Sequence, residues 1–334
     1  MRIGVTYDLR SDYLAMGMSE EDSAEFDAEI TIASLCQALK ELGHEPVRIG
    51  HLKALAERLV GGERWDAVFN ICEGIRGYAR EAQVPALLEA YDIPHVFSDP
   101  LTLAVTLDKA WAKRIVRDQG VPTPDFAVIE RAADVASVSL RFPLFLKPVA
   151  EGSGKGVSEQ SRVVTPAELR TTALDLLARF RQPVLVEAYL PGRELTVGIT
   201  GTGDEACVLG VLEIRNTAKG TQAGYGYENK EHWEERVSLS LVEDAGALAA
   251  GEVALSAWRA LRCRDGGRVD IRCDAQGRPH FLEVNPLAGL NPEHSDLCFI
   301  AQFKGLSHSE LIGLILNSFL KRHPELASRT RAAA

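Results

Sequence analysis

Short apolar runs alternate with amphipathic segments through the first hundred residues. Met1–Tyr7 is apolar and contains β-branched residues, which is typical of a buried strand. Asp27–Leu42 instead carries apolar residues at close to helical spacing, and Gly43 ends that pattern. This alternation predicts a parallel sheet covered by helices. The further elements predicted here are strands over Glu45–Gly50, Ala67–Ile71 and Ile93–Phe97, helices over Leu52–Val60 and Val84–Tyr91, and a loop over Asp8–Glu25.

A charged loop follows the third predicted strand. It spans Cys72–Glu81 and carries Glu73, Arg76, Arg80 and Glu81. Loops past the carboxyl ends of parallel strands are where such folds bind ligands. The loop therefore either binds a charged substrate or is solvated and paired with itself.

The next region combines a long helix with a strand that contains a charge. Leu101–Gln119 is predicted to form one helix, on which Lys109 and Lys113 share a face because they are four residues apart. An apolar strand is predicted over Phe142–Val149. Lys147 lies inside this strand and costs free energy there unless an anion meets it.

A glycine-rich loop comes directly after this strand. Glu151–Val157 holds three glycines within five positions, and Lys155 adds a positive charge. Glycine lets backbone N–H groups approach phosphate oxygens closely. The loop lacks the order of a Walker A loop and the spacing of a dinucleotide fingerprint. Phosphate binding and a flexible turn are both compatible with this loop.

The C-terminal half is predicted to contain several strands and three helices. Glu187 ends one apolar strand and Glu194 begins the next, where their carboxylates could meet a base edge and ribose hydroxyls. The predicted elements are a helix over Pro166–Arg181, strands within Pro183–Ile199 and over Val208–Glu213, a loop over Asn216–Trp233, and helices over Leu239–Leu261 and Ser309–Lys321.

The stretch Arg268–Asn291 is predicted to begin with a hairpin that gathers oxygen ligands. Two apolar runs flank the turn Asp274–Gly277. Glu283 and Asn285 point to one face because strand side chains alternate, and Asp270 can meet them from the partner strand. Such hard ligands suit Mg2+. The alternative is a surface hairpin with solvated acids.

Composition narrows the class of protein. A chain of 334 residues is longer than a single hydrophobic core usually organises, so two or three domains are expected. The net charge of −10 argues against nucleic-acid binding as the main activity. Six cysteines form no Cys-x-x-Cys pair, which favours a reduced, cytoplasmic setting. The first apolar run is too short for a signal peptide or a membrane span, so no membrane partner is expected.

Taken in order, these residues resemble the ATP-grasp superfamily, and within it the D-alanine–D-alanine ligase-like branch. The resemblance covers nearly the whole chain, and it rests on the order and spacing of several short pieces. They are Leu107–Lys109, Leu146–Pro148 with Glu151–Ser153, Val186–Glu187 through Gly192–Glu194, Tyr227–Lys230, Arg268–Asp270 and Leu282–Asn285.

The resemblance implies an α/β chain of three domains. These are an N-terminal parallel-sheet domain over 1–100, a central α+β lid domain with the glycine-rich loop over 101–182, and a C-terminal ATP-grasp domain over 183–325. ATP would lie between the last two. A homodimer is common in the resembling family, and the expected partners are small molecules.

The resemblance also implies roles for individual residues. A substrate carboxylate attacks the γ-phosphate of ATP, and an amine then attacks the resulting acyl phosphate. Arg268 would stabilise the oxyanion of the second step, with Ser153 and Lys230 assisting catalysis. ATP would be held by Lys109, Lys147, Glu151, Ser153, Lys155, Glu187, Leu190, Glu194 and Lys230. Two Mg2+ ions, replaceable by Mn2+, would be held by Asp270, Glu283 and Asn285.

Departures from the family pattern concentrate on the substrate side. Glu73-Gly74 stands where the family has His-Gly, and Lys230 is followed by Glu231 instead of tyrosine. The substrate candidates are Glu73, Arg80, Gly289 and Ser295, with either Glu25 or Glu29 as the anchor of the first substrate. Three functions follow: an amide- or peptide-forming ligase with a divergent substrate site, a D-alanine–D-alanine ligase of cell-wall synthesis, or a non-catalytic ATP-binding module.

Overall fold

The computed structural model describes residues 1–217 and 237–326. Its first sheet is parallel, in the strand order β2-β1-β3, which confirms the predicted β–α–β start. Helix α2 buries Ile32, Leu35 and Leu39 against this sheet and ends before Gly43, which has a positive φ of 81°. The elements are β1 (Arg2–Thr6), α1 (Arg10–Ala15), α2 (Glu29–Glu41), β2 (Glu45–Gly50), α3 (Leu52–Val60), β3 (Ala67–Asn70) and α4 (Gln83–Ala90).

Three local predictions in this part of the chain are wrong. Helix α1 lies within the predicted loop over Asp8–Glu25. The predicted strand over Ile93–Phe97 forms only one isolated bridge, between His95 and Val68. The predicted single helix is two helices, α5 (Pro100–Leu107) and α6 (Lys109–Asp118).

The break between α5 and α6 has a capping cause. The Asp108 carboxylate accepts hydrogen bonds from the backbone N–H groups of Ala110 and Trp111, and so begins a new helix. Lys109 and Lys113 still share one face of α6, as predicted.

The second sheet is antiparallel, in the order β4-β7-β5-β6, and helix α7 packs against it. Strand β7 belongs to this sheet, which favours a domain boundary after Ala188 rather than at residue 183. Helix α6 contributes Val116 to the core of the third sheet instead. The division into three domains stays a prediction. The elements are β4 (Phe126–Ile129), β5 (Leu144–Pro148), β6 (Arg162–Val163), α7 (Pro166–Phe180) and β7 (Val184–Ala188).

The third sheet is antiparallel, in the order β10-β9-β8-β11-β12. The predicted hairpin is confirmed as β11 and β12. The helix predicted from Leu239 is wrong at its start, because Val237–Leu241 pairs with β9 and Asp244 caps the helix that follows. The elements are β8 (Glu194–Thr200), β9 (Cys207–Asn216), β10 (Val237–Leu241), α8 (Ala245–Ala260), β11 (Gly266–Cys273), β12 (Pro279–Asn285), α9 (Asp296–Phe303) and α10 (His308–Arg322).

The C-terminal helix ties the first and third sheets together. Leu311, Ile315 and Phe319 of α10 share a core with α2 and the first sheet. Among the residues described, no helix combines the length and apolar character that crossing a membrane would need.

Candidate active site

The hairpin places the three predicted metal ligands around one pair of strands. Asp270 lies directly opposite Glu283, and Arg268 lies opposite Asn285. The Thr196 hydroxyl donates to the Asp270 carboxylate at 2.9 Å. Arg268 Nη1 lies 2.5 Å from Asp270 Oδ2, so the carboxylate also holds the guanidinium.

The chemistry of this set fits a hard cation. Asp270 and Glu283 lie opposite each other, and Asn285, two residues beyond Glu283 on β12, adds an amide oxygen to the set. Oxygen donors of this kind suit Mg2+. Over residues 1–217 and 237–326, no cluster of three His, Cys, Asp or Glu side chains is arranged to hold a metal. A cation here would therefore take its other ligands from water and phosphate oxygens.

Lys147 meets the anions that its position in an apolar strand demands. Its Nζ lies 3.2 Å from Glu283 Oε2 and 3.4 Å from Glu187 Oε2. Burial alone lowers the pKa of Lys147, but the two carboxylates outweigh it and the pKa is raised. Lys109 Nζ donates to the Glu151 carbonyl oxygen at 2.5 Å and lies 3.7 Å from Glu283. Both lysines thus approach the same carboxylate.

A further buried lysine, Lys113, received no role from the sequence. Lys113 is fully buried, and its Nζ lies 2.5 Å from Glu187 Oε1. Burial lowers the pKa of Lys113 to about 8, although Glu187 acts in the opposite direction. Burial raises the pKa of Glu187, but Lys113 and Lys147 outweigh it and the pKa is lowered. The only signal in the sequence was the four-residue spacing from Lys109.

The glycine-rich loop is fixed to the N-terminal segment through Glu25. The Gly152 N–H donates to Glu25 Oε1 at 2.5 Å, and a Cβ at position 152 would lie 2.6 Å from that oxygen. Lys155 Nζ lies 2.8 Å from Glu151 Oε2 and 3.4 Å from Glu25 Oε1. Ser153 has a φ of 50°, so the turn bends sharply where the loop faces the cavity.

Two cavities adjoin at these residues. The smaller, of about 130 Å³, lies between the second and third sheets and is lined by Lys147, Lys155, Glu187, Leu190 and Glu194 among others. Arg272 pairs with Glu194 and donates to the Leu190 carbonyl oxygen at 3.2 Å. Lys230 lies outside the described residues.

The larger cavity, of about 420 Å³, collects most of the predicted substrate residues. Lys109, Glu151 and Glu283 line both cavities and mark their junction. The predicted residues that line the larger cavity are Glu25, Glu73, Ser153, Arg268, Asn285, Gly289 and Ser295. It is also lined by Glu81 of the charged loop, and by three charged residues without a predicted site role: Arg10, Asp27 and Asp296.

The two glutamates predicted as alternative N-terminal anchors lie in different surroundings. Glu29 is 59% exposed, pairs with Arg48 at 2.6 Å and does not line the cavity. Glu25 does line it, but Arg80 Nη2 lies 3.0 Å from its Oε2. Burial raises the pKa of Glu25, but Arg80, Lys155 and the Gly152 N–H outweigh it and the pKa is lowered. Arg80 itself does not line the cavity and holds the Glu25 carboxylate from behind.

Solved structures identify the class of fold. The D-alanine–D-alanine ligase of Bacillus anthracis, complexed with ATP, superposes with a TM-score of 0.73 at 23% identity, over 97% of this chain and 99% of that chain. The VanG D-Ala:D-Ser ligase of Enterococcus faecalis gives 0.71 at 21% identity, over 95% and 99%. The fold is the ATP-grasp fold, as predicted.

Sequence relatives narrow the class to a family. The model of the D-ala D-ala ligase C-terminus matches residues 115–317. An uncharacterized protein of Sinorhizobium fredii is 33% identical, over 87% of each chain. D-alanine–D-alanine ligases are 33% identical in Bordetella petrii, over 81% of each chain, and 34% in Aquifex aeolicus, over 85% of this chain and 92% of that one. The chain belongs to the D-alanine–D-alanine ligase family, and it is an ATP-dependent, ADP-forming ligase.

Proposed function

We propose that the protein joins a carboxylate to an amine through an acyl phosphate, at the junction of the two cavities. The observation that carries this proposal is the set Lys109, Glu151 and Glu283, which lines both cavities. A phosphoryl group at that junction would meet the nucleotide on one side and the substrate on the other. This arrangement suits a reaction in which one substrate is phosphorylated by ATP and then joined to a second substrate by an amide or peptide bond.

In the first step, a substrate carboxylate oxygen bonds to the γ-phosphorus of ATP, and the bond to the β-phosphate oxygen breaks to release ADP. Lys109 and Lys147 neutralise the charge that spreads over the transferred group. Their ion pairs with Glu283 and Glu187 hold both ammonium groups in place before ATP binds. This preorganisation lowers the cost of bringing the phosphates to the lysines.

Asp270, Glu283 and Asn285 would hold Mg2+, or Mn2+ in its place. Bound there, the metal would neutralise phosphate charge and orient the transferred group. The resident carboxylates are currently shared with Arg268 and Lys147. The oxygens of Asp270 and Glu283 would therefore contact both the side-chain cations of Arg268 and Lys147 and the exchangeable metal ion.

In the second step, the amine nitrogen bonds to the acyl carbon and inorganic phosphate leaves, while the surplus amine proton passes to solvent. Arg268 lines the larger cavity and is oriented by Asp270 at 2.5 Å. A guanidinium fixed in this way stabilises the tetrahedral oxyanion. Ser153 and the glycine-rich loop cover the junction and exclude water, which would otherwise hydrolyse the acyl phosphate.

The smaller cavity would hold the nucleoside of ATP. Glu194 stands at its edge for the ribose hydroxyls, and the segment from Glu187 to Leu190 lines it for the base. The Glu187 carboxylate already lies between two lysines. We therefore assign base recognition to the backbone of this segment, and to the Glu187 carboxylate the task of holding Lys147.

The substrate pair has two candidate identities. The names of the relatives favour D-alanine for both substrates. The geometry of the larger cavity favours a different pair, because the Glu25 carboxylate is occupied by Arg80 and further carboxylates face the cavity. We favour the divergent pair on this ground.

The test is ATP- and Mg2+-dependent phosphate release with D- and L-amino acids and small carboxylic acids, offered singly and in pairs. Release with D-alanine alone would show that the ordinary family substrate is used. Release only with another pair would establish the divergent site. ATP binding without release for any combination would contradict the proposed ligation of these substrate classes.

A further inference from the structure

The loop between β3 and α4 closes on itself at the wall of the larger cavity. The Gly74 N–H donates to Asp8 Oδ2 at 2.9 Å, and Gly74 has a positive φ of 74°. A Cβ at Gly74 would lie 2.5 Å from the Arg80 carbonyl oxygen, so the two ends of the loop touch. This contact brings Glu73 and Glu81, eight positions apart, to the same cavity.

More carboxyl groups than cationic groups line the cavity. Asp27, Glu73 and Glu81 line it, and in the part of the chain that the structure describes none of them has a cation within ion-pair distance. Arg10 also lines the cavity and has no carboxylate partner among the residues that the structure describes; it donates to the Glu20 carbonyl oxygen at 3.2 Å. If all three carboxyl groups were ionised, they would exceed by two charges the one lining guanidinium that has no carboxylate partner among the described residues.

These carboxylates also repel one another. Burial, and then the charges of Glu81 and Glu25, raise the pKa of Glu73 well above its ordinary value. Burial raises the pKa of Glu81 to about 7, with Arg80 opposing and Glu25 reinforcing the change. Burial and the charge of Asp8 raise the pKa of Asp27 to about 8. A cation that entered the cavity would relieve both the repulsion and the cost of burial.

The Glu25 carboxylate is poorly placed to bind such a cation. Its two carboxylate oxygens already accept from Arg80 and from the Gly152 N–H, and Lys155 lies 3.4 Å away. The pairing compensates its charge and binds the glycine-rich loop to the N-terminal segment. Two of the three carboxylates without an ion-pair partner among the described residues, Glu73 and Glu81, lie in the loop that Gly74 closes.

We propose that one substrate of this ligase is a diamino acid or a diamine, and that its second cationic group lies between Glu73 and Glu81. This inference rests on the proposed function, because it names the substrate class of that same cavity. Asp27 adds a third carboxylate to the cation subsite. The cavity volume of about 420 Å³ lies within the roughly 300–1,000 Å³ usual for small-molecule sites.

The test compares cationic and neutral amino acids of similar length in the full-length protein. Phosphate release is measured with ATP, Mg2+ and pairs in which one member is lysine, ornithine or 2,4-diaminobutyrate, or else norleucine or norvaline, in both chiralities. The variants are Glu73→Gln and Glu81→Gln. Glu57→Gln, on the exposed face of α3, is the matched control for removal of one negative charge.

We expect kcat/KM to favour the diamino acid over its neutral counterpart. Each cavity variant should lower kcat/KM for the diamino acid about thirtyfold or more, as loss of one member of a buried charged pair does. The same variants should lower kcat/KM for the neutral amino acid much less, so that the preference for the diamino acid falls, and Glu57→Gln should change neither value. Equal loss for both substrates would overturn the inference.

A direct measurement of amino-acid binding distinguishes failure of the cation subsite from failure of the proposed ligase reaction. Titration calorimetry with a non-hydrolysable ATP analogue present measures the Kd of ornithine and norvaline. Tighter binding of ornithine, lost in Glu73→Gln, supports the cation subsite even if no phosphate is released, and that result would contradict only the proposed reaction. Phosphate release with neutral amino acids alone, without ornithine binding, would overturn the subsite and leave the proposed function standing.

Discussion

Replacing Glu187 by glutamine tests what this carboxylate does. Removing it takes away the anion that lies 2.5 Å from Lys113 and 3.4 Å from Lys147. Lys147 keeps Glu283 at 3.2 Å, so the loss falls mainly on Lys113, which has no exposed surface. Breaking a buried ion pair by removing one partner costs about 3–5 kcal/mol.

The lower end of that range applies here, because Lys113 retains two partners and can lose its proton. Its Nζ still donates to Thr123 Oγ1 at 2.9 Å and to the Phe281 carbonyl oxygen at 3.2 Å. We therefore expect Glu187→Gln to lower the free energy of unfolding by about 3 kcal/mol near neutral pH.

The stability that Glu187→Gln loses should depend on pH. With Glu187 present the pKa of Lys113 is about 8, and without this carboxylate it falls further. In the variant, the folded state then sheds a proton that the unfolded state still binds, so its stability rises with pH. The deficit relative to wild type should shrink as pH rises towards 8, where the wild-type lysine also begins to lose its proton.

The assay is urea unfolding followed by tryptophan fluorescence at several pH values between 6 and 8. The matched control is Glu187→Gln combined with Lys113→Met, which removes the stranded charge together with its partner and should recover most of the loss. A single variant within about 1 kcal/mol of wild type at every pH would refute the counter-ion role.

Three further outcomes follow from other contacts. Asp265 is fully buried, and Arg322 Nη2 lies 2.6 Å from its Oδ2. Asp265→Ala should therefore lower the free energy of unfolding, measured by urea titration, by about 3–5 kcal/mol. A loss below about 1 kcal/mol would contradict the role of this buried ion pair. Arg268→Ala should lower kcat, measured by phosphate release, by about 10²–10³-fold. The Kd of ATP, measured by calorimetry, should stay within a few-fold of the wild-type value. A rise in that Kd as large as the fall in kcat would make Arg268 a nucleotide contact. Chelation of divalent cations should abolish phosphate release, and Mg2+ or Mn2+ should restore it, whereas activity that persists in the chelator would remove the metal role of Asp270.

Local features of the sequence predicted where several residues of the candidate site lie. Lys147 interrupts an apolar strand, and the structure supplies the two carboxylates that such a position demands. The alternation in β12 put Glu283 and Asn285 on one face, and the turn Asp274–Gly277 brought Asp270 opposite. These are short-range features, because the strand period and the turn are set by neighbouring residues.

Errors arose where a distant or competing contact overrode a local pattern. The helical period over Leu101–Gln119 is continuous, yet the Asp108 side chain caps a new helix in its middle. Leu239 follows a helical pattern but pairs with β9 instead. Periodicity counts apolar positions and is blind to the hydrogen bond that a side chain or a partner strand offers the backbone.

The sequence by itself determined the alternation of elements, the hairpin, the glycine-rich loop and the family, since propensity, period and motif order are properties of the chain. Tertiary structure decided which charges meet. Glu25 rather than Glu29 lines the cavity, Lys113 is buried against Glu187, and the closure of the loop at Gly74 brings Glu73 to Glu81. The physical reason is that Coulomb interactions and desolvation depend on distance and burial in three dimensions, which a linear order of residues does not specify.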